Sequence, residues 1–190
     1  FEAVPSNADE RFRKGEKPEE HARRLAREKA REVGAKFPGR WVLAADTVVV
    51  VDGRVLGKPK NAKEAGKMLR LLSGRAHRVI TGYCLIRAGG REAKEGHAAT
   101  RVFFKPLTPA EIRWYLATGE PFDKAGAYAI QGRGAFMVKR ITGSYTNVVG
   151  LPLCEVLEAL KELKAGKKYA PQRAQRKLKI RRKNSPSAKF

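Results

Sequence analysis

The run Trp41-Val42-Leu43-Ala44-Ala45-Asp46-Thr47-Val48-Val49-Val50-Val51 is apolar and β-branched almost throughout, which predicts a strand buried on both faces. Asp52-Gly53 behind it is a two-residue hairpin turn, and the returning strand Arg54-Val55-Leu56 runs into Gly57-Lys58-Pro59. Upstream, Pro18 opens a helix to about Val33, with Ala22, Leu25, Ala26, Ala30 and Val33 on its apolar face and Gly34 behind it. Downstream, Asn61 with Glu64 forms a capping box for a helix whose buried stripe is Ala65, Met68, Leu69 and Leu72, ended by Gly74. A strand from Arg78 to Ile86, a turn at Gly89-Gly90 and a long strand ending near Val102-Phe103-Phe104 follow. Thr108, Pro109 and Glu111 announce a third helix that stops at Gly119. A short strand over 135–138, a turn at Gly143-Ser144 and a last helix from Pro152 to about Leu163 complete the pattern. Helices alternate with strands, so a chain of this length folds as a single α/β domain.

Against that background Asp46 is out of place. Desolvating a carboxylate costs several kcal/mol or more unless it is paired or bound to a metal. An acid in such a strand can face solvent at an edge, close a buried ion pair, or mark a site. The hairpin returns Lys58 toward the Asp46 region, and an acid beside a lysine at one end of a sheet suits a site for phosphate and metal. Lys29 lies four residues after Leu25 and four before Val33, on the apolar face of the first helix, where a lysine ordinarily snorkels to water. His77, taken by itself, reads as a hydrogen-bonded structural residue. The segment from Glu120 to Gly132 is too rich in Gly to be regular. Its charged, aromatic and amide groups suggest a loop whose backbone approaches a ligand closely.

Composition narrows the field. The formal net charge is +22, and residues 164–190 hold seven Lys, four Arg and no acid, so half the excess lies in a basic tail expected to lack stable structure. Such a tail can hold nucleic acid weakly through counterion release, and a basic body suits a polyphosphate substrate. No stretch approaches the apolar length of a membrane span, and the expected location is the cytoplasm. Cys84 and Cys154 have no CxxC spacing, so both are expected to be reduced core thiols.

The strings AADTVV (44–49), GKP (57–59), MLRLLSGRAH (68–77), DKAGAYAIQG (123–132) and GSYTNVVGLPL (143–153), with LAREKAR (25–31), resemble the Maf family of nucleoside triphosphate pyrophosphatases over residues 1–163. The resemblance implies an α/β fold of two lobes around a cleft, with a mixed sheet flanked by helices, like that of inosine triphosphate pyrophosphatases. It implies cleavage of a nucleoside triphosphate to the monophosphate and pyrophosphate, with Mg2+ or Mn2+ as cofactor. By position Asp46 would be the proton acceptor, Lys29 and Lys58 phosphate contacts, and Lys124, beside Asp123, part of the cleft border. Thr47 and Gln131 match the positions that separate the branches of the family, and this pair resembles the dTTP and UTP branch, with modified pyrimidine nucleotides as further candidates. Glu10, in the acidic pair Asp9-Glu10, would join Asp46 in holding metal. Maf chains open with a strand and an SxSPRR loop, and Phe1-Glu2-Ala3-Val4-Pro5 aligns downstream of it. An incomplete domain with weak or no turnover is therefore expected, and the alternative reading is a nucleotide- or nucleic-acid-binding protein that keeps the fold without the chemistry. The resemblance leaves room for a homodimer.

Overall fold

The computed structural model describes residues 1–90 and 92–168. In chain order the elements are α1 (Pro18–Lys36), β1 (Trp41–Val51), β2 (Arg54–Leu56), α2 (Ala62–Leu72), β3 (Ala76–Arg87), β4 (Ala93–Phe104), α3 (Pro109–Ala117), β5 (Val138–Thr142), α4 (Tyr145–Val149) and α5 (Leu153–Lys168). Three short 3-10 turns lie between α3 and β5. The strands form one five-stranded sheet in the order β2-β1-β3-β4-β5. The α/β class is as expected. In place of a mixed sheet, every pairing among the described residues is antiparallel. Hairpins make the β1–β2 and β3–β4 contacts; β2 and β3, each antiparallel to β1, run parallel to one another, so the connection through α2 is a crossover, whereas β5 pairs back on β4 from the end that β4 left.

Period-two alternation assigns β1 to two cores. Val42, Ala44, Val48 and Val50 face α1 and pack with its residues Ala22, Ala26 and Ala30. Val49 and Val51 face the larger core built with α2, α3, Val79, Val102, Phe104 and Tyr128. The hairpin closes at Asp52 and Gly53, both at positive φ (48° and 73°), as a type I′ turn requires. β2 is short, however, and pairs only with Val49, Val50 and Val51. The expectation of a strand buried on both faces along its whole length fails in its first half. Trp41 and Leu43 are exposed there, on the face of the strand where the larger core begins only at Val49.

Other boundaries differ for local reasons. Gly34 is buried inside α1 instead of ending it: its missing side chain admits Ile86, whose Cδ1 would stand 3.1 Å from a Cβ at that position. Asn61 caps α2 by accepting from Glu64 N at 2.9 Å, but Glu64 reaches back to Lys60 N, so the capping box closes one residue early. The strand expected over 135–138 is a 3-10 turn (Arg133–Met137), and the extended segment begins at Val138. The amides of Arg133 and Gly134 are taken by Glu120, which keeps them out of any ladder. Cys84 is buried as expected, whereas Cys154 is exposed on α5. That helix runs on to Lys168, and the rest of the basic tail lies outside the described residues. Among the described residues no helix is long and apolar enough to cross a membrane.

One close approach sets how α1 sits on the sheet. Gly82 of β3 lies directly under the α1 backbone: a Cβ there would come within 2.3 Å of the Ala22 carbonyl. Gly82 is also the register partner of Asp46. Gly82→Ala must push α1 off the sheet, and it should lower unfolding free energy by about 1–3 kcal/mol in urea titration, as overpacking does.

Candidate active site

A cavity of about 630 Å³ opens across the uncovered edge of β1, lined by residues from both faces of the strand. On the α1 face stands Asp46, its side chain only 10% exposed. Lys29 Nζ donates to Asp46 Oδ1 at 2.7 Å and to Glu10 Oε1 at 2.6 Å. Of the readings open for Asp46, the structure selects a half-buried ion pair at a cavity wall. Burial pushes the Asp46 carboxyl above the ordinary aspartate range, and Lys29 offsets part of that rise. Burial pushes the Lys29 ammonium down, but its bonds to Asp46 and Glu10 outweigh this and hold it above the usual lysine value. Lys29 does not snorkel to water. The Gly82 approach brings α1 close enough for the lysine to end on a carboxylate instead.

The segment preceding α1 is fastened by residues that spacing gave no reason to single out. Glu16 is half-buried and accepts from Arg24 Nε at 2.6 Å and Arg24 Nη2 at 3.0 Å, and it also bonds His21 Nδ1 at 2.9 Å. Arg24 Nη2 donates further to the Arg11 carbonyl, and Phe12 stacks flat on the His21 ring at 3.5 Å. This clamp holds Glu10 over Lys29, and Phe12 and His21 line the cavity themselves. Arg24 lies on the side of α1 opposite its apolar stripe, so helical spacing gave no sign that the preceding segment would bury it.

The opposite wall comes from the β2 end and the glycine-rich loop. Gly126 N donates to Gly57 O at 3.0 Å, tying the GKP turn to that loop, and Gly126 itself adopts φ 70° against Val49. Glu120 organises the rest: it accepts from Tyr115 OH, Arg133 N and Gly134 N. Burial pushes its carboxyl up, and these three donors more than offset that, leaving it below the usual range. Lys58, Asp123, Lys124 and Gln131 all line the cavity. Lys124 Nζ bonds Asp123 Oδ2 at 2.6 Å. Lys58 is exposed, and its charge helps lower the carboxyls of Glu10 and Asp123. His77 is buried behind the loop with Nε2 at 2.7 Å from Tyr128 OH, and burial drops its pKa to about 4, so it is a neutral structural residue as expected.

Thr47 points to the other face of the sheet from Asp46. Its hydroxyl lies 2.9 Å from that of Thr81, which donates to the Asn147 carbonyl at 2.9 Å. Every residue singled out from sequence as a site candidate, namely Glu10, Lys29, Asp46, Thr47, Lys58, Lys124 and Gln131, borders this single cavity. Thr81 and Asn147 were missed, being buried polar residues inside strings that read as core.

An α/β fold with a cleft carrying a desolvated acid, several cations and a polar groove across one strand edge defines a protein that handles a phosphorylated ligand. The Maf-like protein model matches residues 1–163, and the chain belongs to the Maf family. It is 52% identical over 163 residues to a dTTP/UTP pyrophosphatase of Syntrophus aciditrophicus, covering 86% of this chain and 80% of that one. It is likewise 52% identical over 165 residues to one of Geotalea uraniireducens (87% and 85%), and 53% identical over 163 residues to one of an Anaeromyxobacter species (84% and 78%).

The Glu16–Arg24 clamp yields a prediction with a definite sign. Arg24 holds the Glu16 carboxyl down to about 2 from an ordinary 4.5. A depressed folded-state pKa contributes stability that is present above the unfolded value and lost as pH falls through the folded one. The melting temperature should therefore drop between about pH 4.5 and about pH 2 in the wild type. Arg24→Ala, which strands a buried charge, should cost about 3–5 kcal/mol at neutral pH and flatten that acid limb.

Proposed function

We infer that this chain is a nucleoside triphosphate pyrophosphatase that hydrolyses dTTP and UTP to the monophosphate and pyrophosphate. The observation that carries the reading is the Asp46–Lys29 pair: a desolvated carboxylate gripped by an ammonium on the wall of a cavity that Lys58 and Lys124 also line. Lys29 takes Oδ1, so Oδ2 is the oxygen suited to accept a proton from the water that attacks the α-phosphorus. Lys58 and Lys124 offset charge on the departing pyrophosphate. Across the strand, Thr47 and Gln131 stand where a pyrimidine base would be read.

The donor set also suits a divalent metal. Glu10 and Asp46 converge on one cation, the Lys29 ammonium, and Mg2+ or Mn2+ typically takes only one or two carboxylates together with substrate phosphates. No cluster of three metal-ligating side chains occurs among the described residues, so Glu10 and Asp46 would hold such an ion jointly with the triphosphate. A bound ion would polarise the phosphate oxygens.

The test is pyrophosphate release from dTTP, UTP and purine triphosphates, in Mg2+ and in Mn2+. Pyrophosphate release is expected to favour dTTP and UTP over purine triphosphates, and whatever rate the chain shows should fall about 10²- to 10⁴-fold in Asp46→Asn with folding intact. Because Asp46 must be ionised to act and its pKa is raised above the ordinary 3.8, activity should fall as pH drops, with a midpoint above that value. Lys29→Ala removes the group that offsets this rise, so its acid limb should move to higher pH. Tight nucleotide binding without any turnover would favour the alternative of a fold kept without its chemistry.

A further inference from the structure

Thr47 reaches the cavity with a hydroxyl, a group that can donate or accept and so distinguishes nothing until its proton is placed. The structure places it. Thr81, fully buried, has its Oγ1 2.9 Å from the Asn147 carbonyl, which can only accept. Its single proton is thereby used. The 2.9 Å contact between the two threonine hydroxyls must then be a donation from Thr47 to Thr81. Thr47 is left presenting lone pairs alone to the cavity.

The Asn147 carbonyl cannot turn away to undo this. Asn147 is fully buried, and its Nδ2 donates to Val79 O at 3.0 Å and to Thr100 Oγ1 at 2.9 Å. Thr100 in turn donates to Ser144 O and accepts from Ser144 N, both at 3.0 Å. Space in front of Thr47 is kept by Gly150, where a Cβ would stand 3.6 Å from the Thr47 oxygen and whose φ of 117° disfavours any side chain.

We propose that Thr81 is a specificity-determining positioning residue: by accepting the Thr47 proton it makes Thr47 an obligate acceptor. The cavity then admits a base presenting an N–H at that point, as the imide edge of thymine and uracil does, and refuses one presenting a lone pair, as cytosine N3 does. The inference rests on the reading of the cavity as a pyrimidine nucleoside triphosphate site. A matched N–H to oxygen bond opposed to two facing lone pairs is the kind of polar mismatch on which enzymes discriminate strongly.

The test compares kcat/KM for dTTP against dCTP in the wild type, Thr81→Val and Thr81→Ser. Thr81→Val frees the Thr47 proton to meet cytosine N3, so the dTTP preference should fall by on the order of tenfold or more. Thr81→Ser keeps the relay and should keep the preference. A folded Thr81→Val with the wild-type ratio, or a Thr81→Ser that loses as much, overturns the proposal. Should Thr81→Val fail to fold, the wild type still decides: 5-fluoro-dUTP, whose N3–H is more acidic, should lose turnover relative to dTTP as pH rises. A ratio that does not change with pH overturns the proposal. If the wild type favours purine triphosphates, the parent reading of the site fails instead, and with it the relay's role in choosing a base. If it binds no nucleotide, both fail.

Discussion

A carboxylate removed from water has to be met by a cation, and most of this molecule's site is arranged around that requirement. Asp46 sits in an apolar strand, and the group that meets it comes from a helix packed across the sheet. Packing so close is possible because Gly82, its register partner, has no side chain to hold α1 away. Had the helix stood farther off, Lys29 would have the reach of an ordinary snorkelling lysine and Asp46 would be costly to keep ionised.

The alternation of the strand then divides labour between adjacent residues. Asp46 faces α1 and Thr47 faces the opposite core, so the two sides of the cavity that they line are separated by the thickness of one strand. A ligand can reach both because β2 pairs with only the last residues of β1 and leaves the edge beside Asp46 and Thr47 without a ladder partner among the described residues.

Two half-buried acids do for the loops what Lys29 does for Asp46. Glu16 gathers Arg24 and His21 and so fixes the segment carrying Glu10, while Glu120 gathers two backbone amides and a tyrosine hydroxyl and so shapes the loop carrying Lys124 and Gln131. Each satisfies polar groups of an irregular segment, and in the loop this adds to the core packing of Ala127 and Tyr128. The segments that line the cavity are irregular, yet they are not loose.

Hydrophobic periodicity, turn chemistry and capping residues determined the order of the elements, the β1–β2 hairpin and the buried stripes of α1 and α2, since these depend on neighbours within a few residues. The motif strings also marked Asp46, Lys29, Lys58, Thr47 and Gln131 as one group. Sequence spacing could not tell which face of the sheet each would occupy, that Gly34 would continue a helix, or that residues 133–137 would coil instead of extending. It also gave no sign of Glu16, Arg24, Thr81 or Asn147, which look like ordinary polar residues until partners from distant segments satisfy them. Tertiary structure decided these because a buried hydrogen-bonding group is defined by what surrounds it, and here the surroundings come from as far as 68 residues away in the chain.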